Sequence, residues 1–144
     1  PYSGLPDVKK AWAVVKESGC DNAKLILDSW HWIRANQSYD PSVLADVPAD
    51  KVVAVQINDV QAHPYAAPVL RDESMHDRMM PGTGHGDTAG FVKMIREKGI
   101  EPAVMGVEVI SDEILSAGVA EAAKANFNAT RAVLEQAWPE VVEQ

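Results

Sequence analysis

The sequence has little cysteine, little positive charge and no long apolar run. Cys20 is the only cysteine among 144 residues, which excludes an intrachain disulfide and fits a reducing, cytoplasmic location. No hydrophobic stretch reaches the roughly 20 residues that cross a bilayer, so no membrane partner is expected. Lys and Arg number 13 against 21 Asp and Glu, giving a formal net charge of -8. Because a phosphate backbone requires a basic footprint, nucleic acid is not expected as a partner either.

Three hydrophobic runs are typical of strands, and each carries a polar, metal-capable side chain towards its carboxyl end. A parallel strand packed under helices should be apolar throughout, so a carboxylate or amide there must be paired or functional. The carboxyl ends of such strands are also where α/β barrels and open α/β sheets place their active sites. The runs are Lys24–Asp28, Val52–Asp59 and Ala103–Ile110, and the polar side chains are Asp28, Gln56 and Glu108.

The alternation of side chains along these strands allows Asp28, Gln56 and Glu108 to point inward together. Two carboxylates that converge in a poorly solvated place repel each other, so one must bind a proton or the pair needs a cation. A structural interpretation stays open for each residue: Asp28 caps the following helix, Gln56 bonds to backbone, and Glu108 lies in water. The recurrence of the pattern in three strands favours the functional interpretation.

Helices are predicted between and around these strands. A long irregular stretch, Val60–Gly86, is rich in Pro, Gly, His and Met, and such loops are usually functional. The alternation of helix and strand indicates an α/β protein with a parallel sheet, but three strands are few for an independent sheet. We therefore interpret residues 1–144 as a single domain that is the carboxyl-terminal part of something larger. The predicted helices span Pro6 to before Gly19, a short segment from Trp30, Pro41–Ala45 after the cap Asp40, Thr88–Lys98 after the cap Asp87, and about Val119 to Trp138.

Four sequence stretches together resemble a known family. The sequence is similar to the sugar phosphate isomerase/epimerase family, the xylose-isomerase-like TIM barrels, which include keto-sugar epimerases, inosose dehydratase and dehydroshikimate dehydratase. The likeness covers nearly the whole chain and implies the last three strands of a (β/α)8 barrel with their helices. The stretches are Leu27–His31 (LDSWH), Val55–Asp59 (VQIND), Arg78–Asp87 (RMMPGTGHGD) and Val107–Glu113 (VEVISDE).

The resemblance implies a divalent metal held by four residues from four strands. Three of these map onto Asp28, Gln56 and Glu108, although many family members have His at the position of Gln56. The fourth, a Glu on the preceding strand, has no counterpart here, so the remaining amino-terminal part of the barrel is an expected partner. An oxygen-rich ligand set favours Mg²⁺, Mn²⁺ or a similar ion.

Two further residues are candidates for substrate contact. The resemblance implies that His31, three positions after Asp28, lies near substrate oxygens and takes part in catalysis. Arg78 is a candidate for binding substrate, since its fork of donors suits a carboxylate, phosphate or polarised carbonyl. The alternatives are a packed histidine between two tryptophans and a solvated loop arginine.

The remaining loop residues give weaker signals. The histidines at positions 63, 76 and 85 do not form a zinc motif and are expected at the surface. The spacing of Gly82, Gly84 and Gly86 matches no nucleotide-binding motif, although the backbone amides before the helix at Asp87 could meet an anion.

The sequence thus predicts a metal-dependent isomerase, epimerase or dehydratase that removes a proton next to a carbonyl, with Glu108 as ligand and base. The substrate is a sugar, sugar phosphate or cyclic keto-acid, and the family resemblance also implies a homodimer. The alternative is a non-catalytic sugar-binding barrel or an incomplete barrel fragment. A phosphodiester-cleaving barrel related to endonuclease IV would need more metal ligands and a less acidic chain.

Overall fold

Helices and strands alternate along the chain in a computed structural model that describes residues 2–142. Within this range there are six α-helices, three parallel strands and four short 3-10 turns. The helices are α1 Val8–Glu17, α2 Ser29–Asn36, α3 Leu70–His76, α4 Thr88–Glu97, α5 Asp112–Ser116 and α6 Val119–Ala137. The strands are β1 Leu25–Asp28, β2 Val52–Ile57 and β3 Val104–Val107.

The strands form one parallel sheet in the order β1-β2-β3. Asp28 pairs with Gln56, and Gln56 pairs with Gly106, so these three positions lie side by side across the sheet. Because side chains two residues apart share a face, Glu108 continues the face of Gly106. The register therefore brings the carboxyl ends of all three strands to one edge, with the polar residues on one face.

The hydrophobic core covers only the opposite face of this sheet. Leu27, Val55 and Ile57 are buried there against residues such as Phe91 and Ile95 of α4. On the other face, Ile26 and Val104 are 58% and 59% exposed. The sheet thus has one covered face and one open face with exposed apolar residues.

Local capping explains where the helices begin. Asp7 accepts a hydrogen bond from the backbone N–H of Lys10 at the start of α1, and Asp87 accepts one from Gly90 at the start of α4. Asp40 caps the 3-10 turn Pro41–Leu44 in the same way. These side chains satisfy backbone donors that have no partner inside the helix. The predicted helices at these places are confirmed.

Two expectations need correction. The strands are shorter than predicted, since β2 ends at Ile57 and β3 ends at Val107, which leaves Glu108 just beyond the strand. The stretch Val60–Gly86 is not wholly irregular, because it contains α3. That helix begins at Leu70, and the preceding Val69 has no side chain that could cap it, so its start carries no sequence signal of the usual kind.

No helix among residues 2–142 is long and apolar enough to span a membrane.

Candidate functional site

Asp28 has two roles at the end of β1. Its Oδ1 accepts a hydrogen bond from the backbone N–H of His31 at 2.9 Å, which caps α2. Its Oδ2 accepts from Nη1 of Arg78 at 3.0 Å and from Nδ2 of Asn58 at 3.0 Å. The side chain is only 6% exposed, so its charge is held by a cation and two further donors away from water. Asp28 is therefore both the helix cap and a member of the polar cluster.

Arg78 lies between the two carboxylates. Its Nη1 donates to Asp28 Oδ2 at 3.0 Å and to Glu108 Oε2 at 2.8 Å, so the two acceptor oxygens cannot be farther apart than the sum of those distances. Its other nitrogens are bound by Ser74: Nε donates to the carbonyl at 2.8 Å and Nη2 donates to the hydroxyl at 3.0 Å. The guanidinium carbon also lies 5.5 Å from the ring centre of Trp30, within range of a cation–π interaction. Arg78 is thus fixed on several sides.

Gln56 and Glu108 are joined directly. The Gln56 amide Nε2 donates to Glu108 Oε1 at 2.9 Å, while the Glu108 side chain stays 37% exposed. Asn58 donates to the backbone carbonyl of Glu108 at 3.2 Å and so connects the ends of β2 and β3. The structure thus brings Asp28, Gln56, Glu108 and Arg78 into one cluster at the carboxyl edge of the sheet.

The donor set suits a hard divalent ion in kind. Two carboxylates and one amide supply oxygens, and Gln56 Oε1 accepts no hydrogen bond from the residues the structure describes. These three are fewer than such an ion needs, and within residues 2–142 no three His, Cys, Asp or Glu side chains converge to hold a metal. Instead, the Arg78 guanidinium supplies a single positive charge between the two carboxylates.

His31 projects from the first turn of α2 beside this cluster. Its ring lies 5.0 Å from Trp30 and 5.9 Å from Tyr2, centre to centre. Burial, and secondly the positive charge of Arg78, lowers the pKa of His31 to about 4. The imidazole is therefore neutral at physiological pH and can donate or accept a hydrogen bond.

A cavity of about 270 Å³ opens next to these residues. Asp28, His31 and Gln56 line it together with the rest of β1, the segment before α1 and parts of α1 and α2. A volume of this size is close to the lower end for small-molecule sites.

Several residues of the site were not predicted. Asn58, Asp59, Glu73 and Ser74 are all buried and bonded to the cluster or to its loop. Asn58 and Asp59 directly follow β2, and a polar pair at the end of a buried strand was an available signal. Glu73 and Ser74 lie on α3, where no local sequence pattern indicated burial.

Other expectations for the loop have mixed outcomes. The histidines are exposed as expected, at positions 63, 76 and 85, and His76 contacts only the carboxylate of Asp112 within the described residues. The expectation that loop amides bind an external anion is corrected, because the N–H groups of Gly82, Gly84 and Gly86 donate to Asp59.

Comparison with known proteins gives a consistent family. A family profile described as xylose isomerase-like TIM barrel matches residues 2–136. A 3-dehydroshikimate dehydratase of Pseudomonas aeruginosa is 34% identical over 104 residues, which is 72% of this chain and 16% of the dehydratase. An inosose isomerase of Halalkalibacterium halodurans is 28% identical over 127 residues, which is 88% of this chain and 42% of the isomerase.

The solved structures match in fold. The crystal structure of the IolI protein with a bound zinc atom superposes with a TM-score of 0.78 at 22% identity, covering 93% of this chain and 45% of that protein. The chain therefore spans less than half the length of each of these three proteins.

Proposed function

Since the chain belongs to the xylose isomerase-like TIM barrel family, we propose that it forms the metal-binding edge of a divalent-metal-dependent isomerase, epimerase or dehydratase. The proposal rests on one observation: Arg78 Nη1 donates hydrogen bonds to both Asp28 and Glu108, and the Gln56 amide donates to Glu108. A polar cluster at the carboxyl ends of adjacent barrel strands is where this fold performs chemistry.

Asp28, Gln56 and Glu108 would hold the ion, with Mn²⁺ or Mg²⁺ as the first candidates. When bound, the ion would act as a Lewis acid on the oxygens beside the reacting carbon. We propose that this chain is part of a longer protein, and that a strand preceding it there supplies a fourth ligand, a Glu.

The chain's own residues would move the proton and position the substrate. Glu108 is the proposed base, because its carboxylate is the one of the pair that stays partly exposed, at 37%. His31, neutral at physiological pH, would hydrogen-bond a substrate oxygen. Arg78 would hold the Asp28 and Glu108 side chains in place through Nη1 and offer its remaining donor capacity to a substrate carboxylate or carbonyl.

The substrate class follows from this chemistry. Isomerisation, epimerisation and dehydration all begin with removal of a proton next to a carbonyl, so a keto-sugar, its phosphate or a cyclic keto-acid would suit the site. The dehydratase at 34% identity makes a cyclic keto-acid such as 3-dehydroshikimate the first compound to test.

We also propose that the rest of a barrel covers two surfaces, the open face of the sheet and a groove between β3 and α6 on the other side of the sheet. Ile26 and Val104 are exposed on the open face. The groove, of about 690 Å³, runs along α6 beside Phe127, which is 62% exposed. Asn126 Oδ1 and Thr130 Oγ1 in this groove are buried without a hydrogen-bond partner among residues 2–142. A packed element with polar groups would satisfy them. A homodimer and a cytoplasmic location stay predictions.

A second candidate is a barrel that binds sugar without a metal. The observation in its favour is that Arg78 already supplies a positive charge between the two carboxylates. This candidate predicts sugar binding that resists chelators, with no turnover.

The test uses the longer protein that contains this chain. Deuterium uptake next to the substrate carbonyl is followed by NMR in D₂O with 3-dehydroshikimate, inososes and ketohexoses. We expect uptake that stops with excess chelator, returns with Mn²⁺, and falls by about 10²–10⁴-fold in Glu108→Gln. Glu101→Gln, a change of an exposed Glu before β3, is the matched control. Unchanged uptake in both the chelated enzyme and Glu108→Gln would end the proposal.

A further inference from the structure

Asp59 is enclosed by backbone N–H groups. The residue is 2% exposed and directly follows Asn58 after β2. Its Oδ1 accepts from Gly86 at 2.7 Å and from Val60 at 2.8 Å, and its Oδ2 accepts from Gly82 and Gly84, each at 3.1 Å. A carboxylate has about four lone-pair sites, and these bonds are strengthened by its charge.

Two glycines of the loop, Gly84 and Gly86, leave no room for a Cβ beside this carboxylate. A Cβ on Gly84 would lie 2.5 Å from the Val60 carbonyl oxygen and 2.7 Å from the Asp59 carboxyl group. A Cβ on Gly86 would lie 2.8 Å from Asp59 Oδ1. The Gly-x-Gly-x-Gly pattern at positions 82–86 therefore fits an internal anion and leaves those three amides without capacity for an external one.

The backbone of Asp59 holds the other end of the same loop. Asp59 and Met79 exchange two hydrogen bonds of 2.8 and 3.1 Å in an isolated antiparallel bridge. Arg78 immediately precedes Met79, and its own backbone N–H donates to the carbonyl of Ile110 at 3.1 Å. Hydrogen bonds thus hold both ends of residues 79–86 to Asp59. The bonds at the first end are made by Met79, which directly follows Arg78.

We propose that Asp59 is a positioning residue: its carboxylate shapes loop 79–86 and thereby holds the Arg78 guanidinium between Asp28 and Glu108. The kinetic part of this inference rests on the proposed function. A displacement of about 1 Å in a positioning group can cost about 100-fold in rate. Asp59 makes no hydrogen bond to Asp28, Gln56, Glu108 or Arg78 and does not line the cavity beside them, so its effect is indirect.

The experiment compares Asp59→Ala and Asp59→Asn with the unchanged longer protein. NMR follows hydrogen exchange at the amides of Gly82, Gly84 and Gly86 together with the Nε–H resonance of Arg78, and kcat and KM are measured on the substrate that exchanges deuterium. In Asp59→Ala we expect fast amide exchange, loss of the slowly exchanging Arg78 Nε–H, and kcat lower by about 100-fold with a smaller change in KM. Formate, a carboxylate small enough to replace the missing side chain, should restore all three in this variant only.

The matched control is Asp40→Ala, which removes an exposed carboxylate that also accepts a backbone N–H, far along the chain from the loop. Its kinetics should be unchanged, and formate should have no effect. If Asp59→Ala does not fold, Asp59→Asn is measured in the same way. Its amide nitrogen would face two N–H donors whose hydrogen bonds it cannot accept, so the same loss of amide protection is expected.

Slow exchange at the amides of Gly82, Gly84 and Gly86 in the Asp59 variants would overturn the inference. Fast exchange at these amides with an unchanged kcat and an unchanged Arg78 Nε–H resonance would overturn it as well. If the unchanged protein turns over none of the substrates, only the proposed function fails. The Arg78 Nε–H resonance in the Asp59 variants then still tests whether Asp59 positions Arg78.

Discussion

At the scale of residues, one guanidinium serves two carboxylates that would otherwise repel each other. Arg78 is 3% exposed and Asp28 is 6% exposed, so this pair is buried, whereas Glu108 reaches solvent. Removing one partner of a buried pair leaves the other charge uncompensated, which costs more than the pair contributes. The Arg78–Asp28 contact should therefore be the part of the cluster whose loss lowers stability most.

Arg78→Gln should lower the free energy of unfolding by about 3–5 kcal/mol, because Asp28 loses its counter-ion while staying buried. Urea unfolding of the longer protein measures the change. Arg71→Gln removes an exposed arginine on α3 and should change stability by less than about 0.5 kcal/mol. Equal stability of the two variants would contradict the role of Arg78 as the buried counter-ion of Asp28.

His31 should titrate with a pKa of about 4 rather than 6.5, because burial and then the charge of Arg78 disfavour its protonated form. Between these two pH values the unfolded state binds more protons than the folded state, so acidification through this window should destabilise the protein. NMR of the imidazole Cε1–H measures the pKa directly. Arg78→Gln should raise that pKa, and a value near 6.5 in the unchanged protein would disagree with the structure.

The residues of the cluster were predictable from the sequence to different extents. Asp28 and Gln56 follow from polar side chains that interrupt apolar strands, and Glu108 follows in the same way. The contact of Arg78 with both carboxylates was not predictable, since Arg78 lies 50 positions after Asp28 and 30 before Glu108. Only the folded loop brings these residues together.

At the scale of elements, α3 connects α2 with the Arg78 guanidinium. Glu73 on α3 is fully buried, and its Oε1 accepts from Arg34 Nε at 2.8 Å and from the Trp30 indole at 3.1 Å. Its Oε2 accepts from the backbone N–H of Tyr65 at 2.8 Å. The next residue, Ser74, holds Arg78. The helix is therefore anchored on one side and positions the guanidinium on the other.

Glu73→Gln should detach α3 from α2, because Arg34 is left without its buried counter-ion. Hydrogen exchange followed by mass spectrometry should show faster exchange across Leu70–His76, while β2 stays protected. Asp72→Asn changes the neighbouring exposed residue of the same helix and should leave exchange unaltered. Slow exchange in Glu73→Gln would mean that α3 is held by other contacts.

Elements with local signals were predicted correctly, and α3 was not. α1 and α4 have Asp caps and apolar periodicity that any solvent-facing helix shows. In contrast, α3 has seven residues, no capping side chain, and a buried Glu whose partners lie on α2 and at Tyr65. Its stability is tertiary, and tertiary contacts are absent from local sequence patterns.

At the scale of the whole molecule, the sheet has a helix-covered face and an open face. The open face carries both exposed apolar residues and the polar cluster, as expected for the interior of a barrel. The parallel topology and the family were predictable from the alternation of elements and from motifs, whereas the surfaces that the rest of a barrel would cover appear only in the fold.

Mn²⁺ should stabilise the longer protein against heat, since a ligand that binds only the folded state adds about 2.7 kcal/mol at 100 times its Kd. Differential scanning calorimetry with and without the ion measures the shift in Tm. Gln56→Leu should reduce this shift, because one oxygen donor is lost, while Gln136→Leu on the exposed side of α6 should not. An identical shift in both variants would place the ion elsewhere.

The most direct measurement is a crystal structure of the longer protein grown with Mn²⁺ and recorded at a wavelength where manganese scatters anomalously. We expect one strong anomalous peak about 2.0–2.6 Å from side-chain oxygens of Asp28, Gln56 and Glu108. No peak at the carboxyl edge of the sheet, with Arg78 still bonded to both carboxylates at saturating Mn²⁺, would contradict the account.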